Sequence, residues 1–73
     1  MLEEVIGFKH QLSQRELDCL IWASRGKTYK ETSMIMELSW ATIKTYLDAG
    51  RHKLNAVNLT QAVAIAVRRG IIP

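Results

Sequence analysis

The sequence has little proline, little cysteine and no long apolar run. One of its 73 residues is proline, and it is the last, Pro73, so no interior position forces a helix to break. The one cysteine excludes an internal disulfide bond and argues against a small secreted scaffold. No apolar run approaches the roughly 18 residues of a membrane span, and residues 1–4 lack the basic start of a signal peptide. We therefore expect one cytoplasmic, helix-rich domain with no membrane partner.

The chain also lacks the groupings that carry catalysis or hold a cofactor. Cys19 has no neighbouring base in the sequence, and His10 and His52 have no metal-ligand spacing with it or with each other. No phosphate-cradling loop, carboxylate pair or catalytic triad is present. We therefore expect Cys19 to be an inert packing residue, and we expect no enzyme activity, no metal and no cofactor.

The composition is otherwise that of a small folded domain. Hydrophobic residues make up 48% of the chain and charged residues 23%. Ten lysines and arginines against seven acidic residues give a net charge of +3, which favours polyanionic partners modestly. A chain this short buries only about 60% of the surface that its unfolded form exposes. Its core is therefore thin, and we expect no small-molecule ligand in this segment.

The first two predicted helices begin at capping boxes, in which a hydroxyl and a glutamate three residues later bond each other's backbone amides. Residues 13–16 and 28–31 both have this pattern. Gly26 is placed to end the first helix in a left-handed conformation, and the second helix is predicted to end near Met36. The side chains of the second helix that we expect to face inward or fill the core are Thr32, Met34, Ile35 and Met36.

The third helix follows after a short turn. Ser39 is predicted to cap it about three residues after the second helix ends, and this spacing is the helix-turn-helix signature. Its apolar positions are spaced four, three and four residues apart and form one narrow stripe, Ile43, Leu47, Gly50 and Leu54. The opposite side is small and polar near the start of the helix, so we expect it to face a partner.

The fourth helix completes the predicted fold. Asn58 and Gln61 repeat the capping pattern, and Gly70 is predicted to end the helix. Ile65 is predicted to lie off the apolar stripe, which consists of Leu59, Ala62, Val63 and Ala66. We therefore predict an all-α, compact four-helix domain containing a helix-turn-helix over residues 12–73, with residues 1–11 as a linker or N-terminal arm.

The polar side of the third helix has the chemistry to contact DNA bases. Short side chains at its start would let the backbone come close to the base edges of a major groove. Lys44 can donate to guanine, and Thr45 can touch a thymine methyl group. Asp48 can accept from cytosine N4 or pair with Lys44 one turn earlier. With the small Ala41 beside them, these are the predicted base contacts.

Basic and polar side chains around this face are candidates for phosphate contacts. The predicted set is Lys27, Lys30, Trp40, Thr42, Arg51 and Lys53. Two short capped helices also occur in many proteins that never touch nucleic acid. The geometry alone therefore leaves open a helical protein-interaction module, with Trp40, Leu59 and Ile65 as its exposed anchors.

Four motifs follow one another, in order and without gaps, as they do in one known family. Residues 12–16 match L-[ST]-x-R-E, and residues 20–31 are similar to L-x-W-x-A-x-G-K-[ST]…E, with the alanine one position off. Residues 38–44 are similar to I-S-x-x-T-V-K, and residues 53–71 to K-L…N-R…A-V-x-x-A…G-[LI]. Over residues 12–72 the chain therefore resembles the LuxR-type, or GerE-type, DNA-binding domain of bacterial transcription regulators.

The resemblance implies a four-helix domain whose third helix contacts DNA and whose fourth helix supports dimerisation. The family's base-contacting positions fall on Lys44, Thr45 and Asp48. Its phosphate-contacting positions fall on Thr42 and Lys53. These implied roles agree with those expected from the residues themselves.

The chain departs from the family at four places. Tyr46 stands where histidine is usual, and we predict that it contacts phosphate or only packs. Thr32-Ser33 replaces an Ile-Ala pair, and Leu59 replaces an arginine. Asp48 is acidic where a basic or amide residue is commoner. These departures predict an unusual site preference rather than a different fold.

The stretch from Trp22 to Lys27 most resembles the subset of the family that responds to acyl-homoserine lactones in quorum sensing. We therefore predict the C-terminal effector domain of a quorum-sensing regulator, which binds a double-stranded operator with inverted repeats as a weak homodimer in the nucleoid. RNA polymerase is a further candidate partner. The predicted dimer surface is Leu59, Ile65 and Arg69. A response-regulator output domain and a sigma-factor-like promoter-binding domain are the alternatives.

Overall fold

Four helices form the part of the chain that the computed structural model describes, residues 11–73. They are α1 (Gln14–Ser24), α2 (Tyr29–Met36), α3 (Trp40–Lys53) and α4 (Leu59–Arg68). No strand occurs among these residues, so the predicted all-α fold is confirmed. The predicted N-terminal arm lies outside the described residues except for Gln11.

The first two helices begin at the capping boxes that the sequence predicted. The Ser13 hydroxyl accepts from the Glu16 amide at 3.2 Å, and a Glu16 carboxylate oxygen accepts from the Ser13 amide at 2.9 Å. Thr28 and Glu31 repeat this exchange at 3.1 and 2.9 Å. Both caps bond backbone amides that the helix itself leaves without a partner, and this fixes where α1 and α2 begin.

The caps of α3 and α4 are less symmetrical. The Ser39 hydroxyl accepts from the Thr42 amide at 3.1 Å, without a reciprocal side chain. At α4 the Asn58 side chain accepts from the Gln61 amide at 2.8 Å, as predicted. The Gln61 side chain, however, accepts from the amide of Val57 at 2.6 Å rather than from that of Asn58. The return bond therefore reaches one residue further back than in a capping box.

The turn between α2 and α3 places the two helices of the helix-turn-helix. Glu37 ends α2 in the left-handed region, with φ of 58°, where a side chain other than glycine is disfavoured. The amide of Leu38 donates to the carbonyl of Ser33 at 3.1 Å, and this bond closes the turn. α3 therefore begins at Trp40 after only three residues.

α3 lies at the centre of the domain and packs against the other three helices. Its predicted stripe is confirmed, because all four of its residues are buried, Ile43, Leu47, Gly50 and Leu54. A Cβ atom at Gly50 would stand 3.4 Å from a methyl carbon of Leu20, so the absent side chain lets α1 approach α3 closely. This packing fixes which side of α3 faces outward.

Three expectations about burial are wrong. Ile65 was expected off the apolar stripe, but it is only 7% exposed and belongs to the core. The chain turns back after α4, where the amide of Ile72 donates to the Ala66 carbonyl, and Ile72 joins the same core. Met34 and Ile35 were expected inside but are 70% and 43% exposed. In the eight-residue α2 only Thr32 is buried, while Tyr29 and Met36 are half-buried against the core.

Candidate nucleic-acid interface

The outward side of α3 carries the residues that the sequence assigned to base contacts. Ala41, Lys44 and Thr45 are exposed, and Asp48 is half-buried among them. They lie opposite the buried stripe because a helix turns about 100° per residue. The short side chains of Ala41 and Thr45 therefore lie on the exposed side of α3 near its start, which is the shape that lets a backbone approach a nucleic acid groove.

An ion pair crosses this face. The Lys44 ammonium lies 2.9 Å from a carboxylate oxygen of Asp48, and the two side chains are 49% and 47% exposed. The hydrogen bond and the negative charge of Asp48 raise the pKa of Lys44, because both favour its charged form. Of the roles predicted for Asp48, the structure contains the pairing with Lys44.

Two threonines at the start of α3 have their hydroxyls oriented by hydrogen bonds. Thr45 donates to the Ala41 carbonyl at 3.0 Å, which commits its proton and leaves its oxygen able to accept. The hydroxyl of Thr42 accepts from that of Ser39 at 2.8 Å. The proton of Thr42 therefore remains able to donate outward.

Two of the predicted phosphate contacts have partners within the domain. The Lys53 ammonium donates to both carboxylate oxygens of Glu16, at 2.9 and 3.1 Å. The Arg51 guanidinium donates to the Ala56 carbonyl at 3.0 Å and lies 3.2 Å from the ring of His52. These bonds tie the end of α3 to α1 and to the following turn. Lys27 and Lys30, by contrast, are exposed.

Glu16 is a structural residue that the sequence reasoning recognised only as a helix cap. Its side chain is 8% exposed, whereas that of Lys53 is 38% exposed. Burial raises the pKa of Glu16, but the hydrogen bonds from Lys53 and Ser13 outweigh this effect and leave the pKa below its ordinary value. The partners are 37 residues apart, and no local spacing indicates such a pair.

Aromatic residues flank the start of α3. Trp40 is 53% exposed, and its ring meets that of Tyr29 edge to face with centroids 5.7 Å apart. This contact joins the first residues of α2 and α3. Tyr46 is half-buried and packs against the core, and its contact with phosphate stays a prediction.

The surface predicted for dimerisation is changed by the burial of Ile65. Leu59 is half-buried and Arg69 is exposed, so these two still reach the surface. Leu59 also lines an open cavity of about 230 Å³ between the end of α1 and the start of α4. The other residues around this cavity are Ala23, Ser24, Lys27, Thr60 and Val63.

Cys19 lies in the core. It is fully buried, and its Sγ atom lies 3.6 Å from the sulfur of Met36. Burial raises the pKa of the thiol to about 11, so it stays protonated, as an inert packing cysteine does.

Within residues 11–73 no three acidic, histidine or cysteine side chains are grouped to hold a metal ion. No helix of this part is long and apolar enough to cross a membrane.

Known bacterial regulators can be aligned with most of the length of this chain. The family described as "Bacterial regulatory proteins, luxR family" matches residues 10–66. The chain belongs to the luxR family of bacterial regulatory proteins. The predicted resemblance to this family, with its helix-turn-helix domain, is therefore confirmed.

Individual relatives of this luxR-family chain cover nearly all of it. The quorum sensing-dependent transcriptional regulator VjbR of Brucella ovis is 48% identical over 61 residues, which are 84% of this chain and 24% of VjbR. RpaR of Rhodopseudomonas palustris is 41% identical over 64 residues, 88% of this chain and 26% of RpaR. The chain thus spans about a quarter of the length of these relatives.

The fold also matches a solved structure. A crystal structure described as the phage VqmA-DPO complex superposes with a TM-score of 0.77 at 26% sequence identity. The match covers 94% of this chain and 32% of that one. The four-helix arrangement of this luxR-family chain therefore occurs as a part of a longer protein.

Proposed function

We propose that this chain is the operator-binding domain of a quorum-sensing transcription regulator, and that α3 lies in the major groove of double-stranded DNA. The observation that carries this proposal is the two-sided character of α3. One side is buried against the core, and the other presents short or hydrogen-bonding side chains at the surface, Ala41, Lys44, Thr45 and Asp48. This is the arrangement by which a recognition helix reaches base edges.

The remaining contacts in the proposal position the domain on the DNA backbone. Trp40 and Thr42 lie in the first turn of α3, whereas Lys27 and Lys30 lie exposed just before and within the first turn of α2. In the proposal all four meet phosphates or sugars. Arg51 and Lys53 already bond the Ala56 carbonyl and the Glu16 carboxylate. They contact phosphate in the proposal only while they keep these partners. Tyr46 contributes by packing.

The quorum-sensing role is supported by the names of the relatives. VjbR and RpaR are both described as quorum sensing-dependent transcriptional regulators, and each is about four times as long as the matched region. This domain would therefore act as the effector part of a longer regulator in the bacterial nucleoid. Its sensor would lie in another part of that regulator.

The proposal also includes a dimer on an inverted repeat. One such domain contacts only a few base pairs, and two half-sites about one helical turn apart supply the missing information. Leu59 at the start of α4 and Arg69, which follows its end, remain as the proposed dimer surface, without Ile65. RNA polymerase is a further proposed partner, with which a bound regulator would act at a promoter.

Equilibrium binding to duplex DNA at several salt concentrations tests this function. If two to four phosphates are neutralised, the logarithm of affinity should fall with that of salt with a slope of about −2 to −4. Replacing Lys27 and Lys30 together with alanine should flatten the slope by about 2. Arg68→Ala, at the far end of α4, is the matched control and should leave the slope unchanged. A wild-type affinity that is independent of salt would contradict DNA binding.

A further inference from the structure

The Lys44–Asp48 pair has a property beyond charge neutralisation. Its ammonium and carboxylate end side by side, 2.9 Å apart, on the outward face of α3. Both side chains are about half exposed, so each retains hydrogen-bonding capacity for a further partner. The two side chains together therefore present one donor and one acceptor, adjacent and in a fixed order along the helix.

The order of the two residues argues against a purely stabilising role. An acidic residue four positions before a basic one stabilises a helix better than the reverse, because of the helix dipole. Here the lysine comes first and the aspartate second, which is the weaker order. Exchanging the two residues would therefore preserve or improve the helix while reversing the order of donor and acceptor.

A base pair presents the complementary arrangement in the major groove. Guanine O6 accepts and cytosine N4 donates, and since these atoms are hydrogen-bonded to each other they lie about 2.9 Å apart. Thymine O4 and adenine N6 form the same acceptor and donor pair. The spacing across the Lys44–Asp48 pair thus equals the spacing between the two groups at the centre of a base pair.

We propose that Lys44 and Asp48 act as one unit that senses the orientation of a single base pair, with Lys44 facing a keto base and Asp48 facing its amino partner. Guanine or thymine is then accepted on the strand under Lys44, and cytosine or adenine on the strand under Asp48. Guanine is preferred to thymine because its N7 offers the ammonium a second acceptor. The inference rests on the proposed insertion of α3 into the major groove.

The unit predicts a recognisable operator. Exchanging the two bases between the strands would place the Lys44 ammonium against the amino group of cytosine or adenine. The Asp48 carboxylate would then face the carbonyl oxygen of guanine or thymine. One position in each half-site should therefore prefer G most, accept T, and reject A and C. We expect the flipped pair to bind on the order of 10- to 100-fold more weakly than the preferred one.

Selection of binding sites from randomised duplex DNA tests the unit. The 73-residue chain is compared with the exchange variant Lys44→Asp/Asp48→Lys, which should invert the preference at that one position from G or T to A or C. Other positions of the site should stay unchanged. Asp18→Ala is the control for loss of a carboxylate, because Asp18 also accepts an i, i+4 hydrogen bond, from Gln14 on α1 at 2.9 Å. Its selected site should equal that of the wild type.

A second variant keeps the test decisive if the exchange variant folds poorly. Lys44→Ala/Asp48→Ala should still enrich a site but lose the preference at that one position. If both variants kept the wild-type preference at every position, or lost it evenly along the site, the orientation-sensing unit would be refuted while DNA binding stood. If the wild-type chain enriched no sequence, the proposed function itself would fail.

Discussion

Replacing Glu16 with glutamine separates the two roles that this residue has in the structure. Glutamine also closes a capping box, so the bond from the Ser13 amide is retained. The negative charge that faces Lys53 across 2.9 Å is lost. The variant therefore tests the ion pair that ties α1 to the end of α3, with little change to the helix start.

The expected cost follows from the burial of the two partners. Hydrogen bonds to charged groups contribute roughly 1.5–3 kcal/mol when buried, and exposed ion pairs contribute about 0–1 kcal/mol. Glu16 is nearly buried but the side chain of Lys53 is 38% exposed, so solvent screens part of the interaction. We expect Glu16→Gln to lower the free energy of unfolding by about 1–2 kcal/mol at pH 7. In a domain of this size that corresponds to a fall in Tm of about 4–16 °C.

Glu31→Gln provides a matched control, because Glu31 closes the same capping box on α2. It accepts from the Thr28 amide at 2.9 Å, but it is exposed and forms no salt bridge in the described part of the chain. Thermal and urea unfolding of both variants at pH 7 should show a clear loss for Glu16→Gln and little change for Glu31→Gln. Equal losses in the two variants would refute the contribution assigned to Lys53.

The effect should also depend on pH with a definite sign. The pKa of Glu16 in the folded chain lies below its ordinary value of 4.5. Its carboxylate therefore stabilises the fold fully at pH values above the pKa that Glu16 has in the unfolded chain. This contribution is lost as the pH falls through the folded pKa. The difference in stability between wild type and Glu16→Gln should therefore be constant near neutrality and shrink below about pH 4.5. A difference that grew on acidification would contradict the assignment.

The core and the surface of the domain give three further expectations. Ile65→Ala should cost about 2–4 kcal/mol in urea unfolding, because Ile65 is 7% exposed. Met34→Lys should change stability by less than about 0.5 kcal/mol in the same assay, because Met34 is 70% exposed. The Cys19 thiol, fully buried and with a pKa of about 11, should react with iodoacetamide at pH 8 only after urea unfolds the chain. Prompt alkylation of the folded chain would contradict that burial.

The elements that were predicted correctly depend on short-range regularities. Caps join residues three apart, so Ser13 and Thr28 could be recognised as helix starts without knowledge of the rest of the fold. The stripe of α3 repeats over about three turns, and its burial followed from periodicity alone. The family resemblance then gave the arrangement of the four helices, which caps and stripes do not determine.

The expectations that failed depend on packing between distant segments. Ile65 is buried in the same core that Ile72 joins where the chain folds back after α4. Met34 was expected inside because its side chain is apolar. It lies instead on the exposed side of α2, an eight-residue helix in which only Thr32 is buried. The partner of Lys53 lies 37 residues away, on α1. The burial of Ile65 and the pair of Lys53 with Glu16 depend on how distant segments pack together, on which local spacing carries no information.

One comparison tests most directly whether the outward side of α3 enters a DNA groove. Ala41 and Ala64 are both exposed alanines within helices, on α3 and α4. Ala41→Glu and Ala64→Glu add the same charge and bulk, so they differ only in place. On a selected duplex with a single half-site, where dimerisation does not enter, Ala41→Glu should weaken binding by on the order of 100-fold through its clash and its repulsion of phosphate. Ala64→Glu should bind like the wild type, and equal affinities for the two variants would contradict the placement of α3 in the groove.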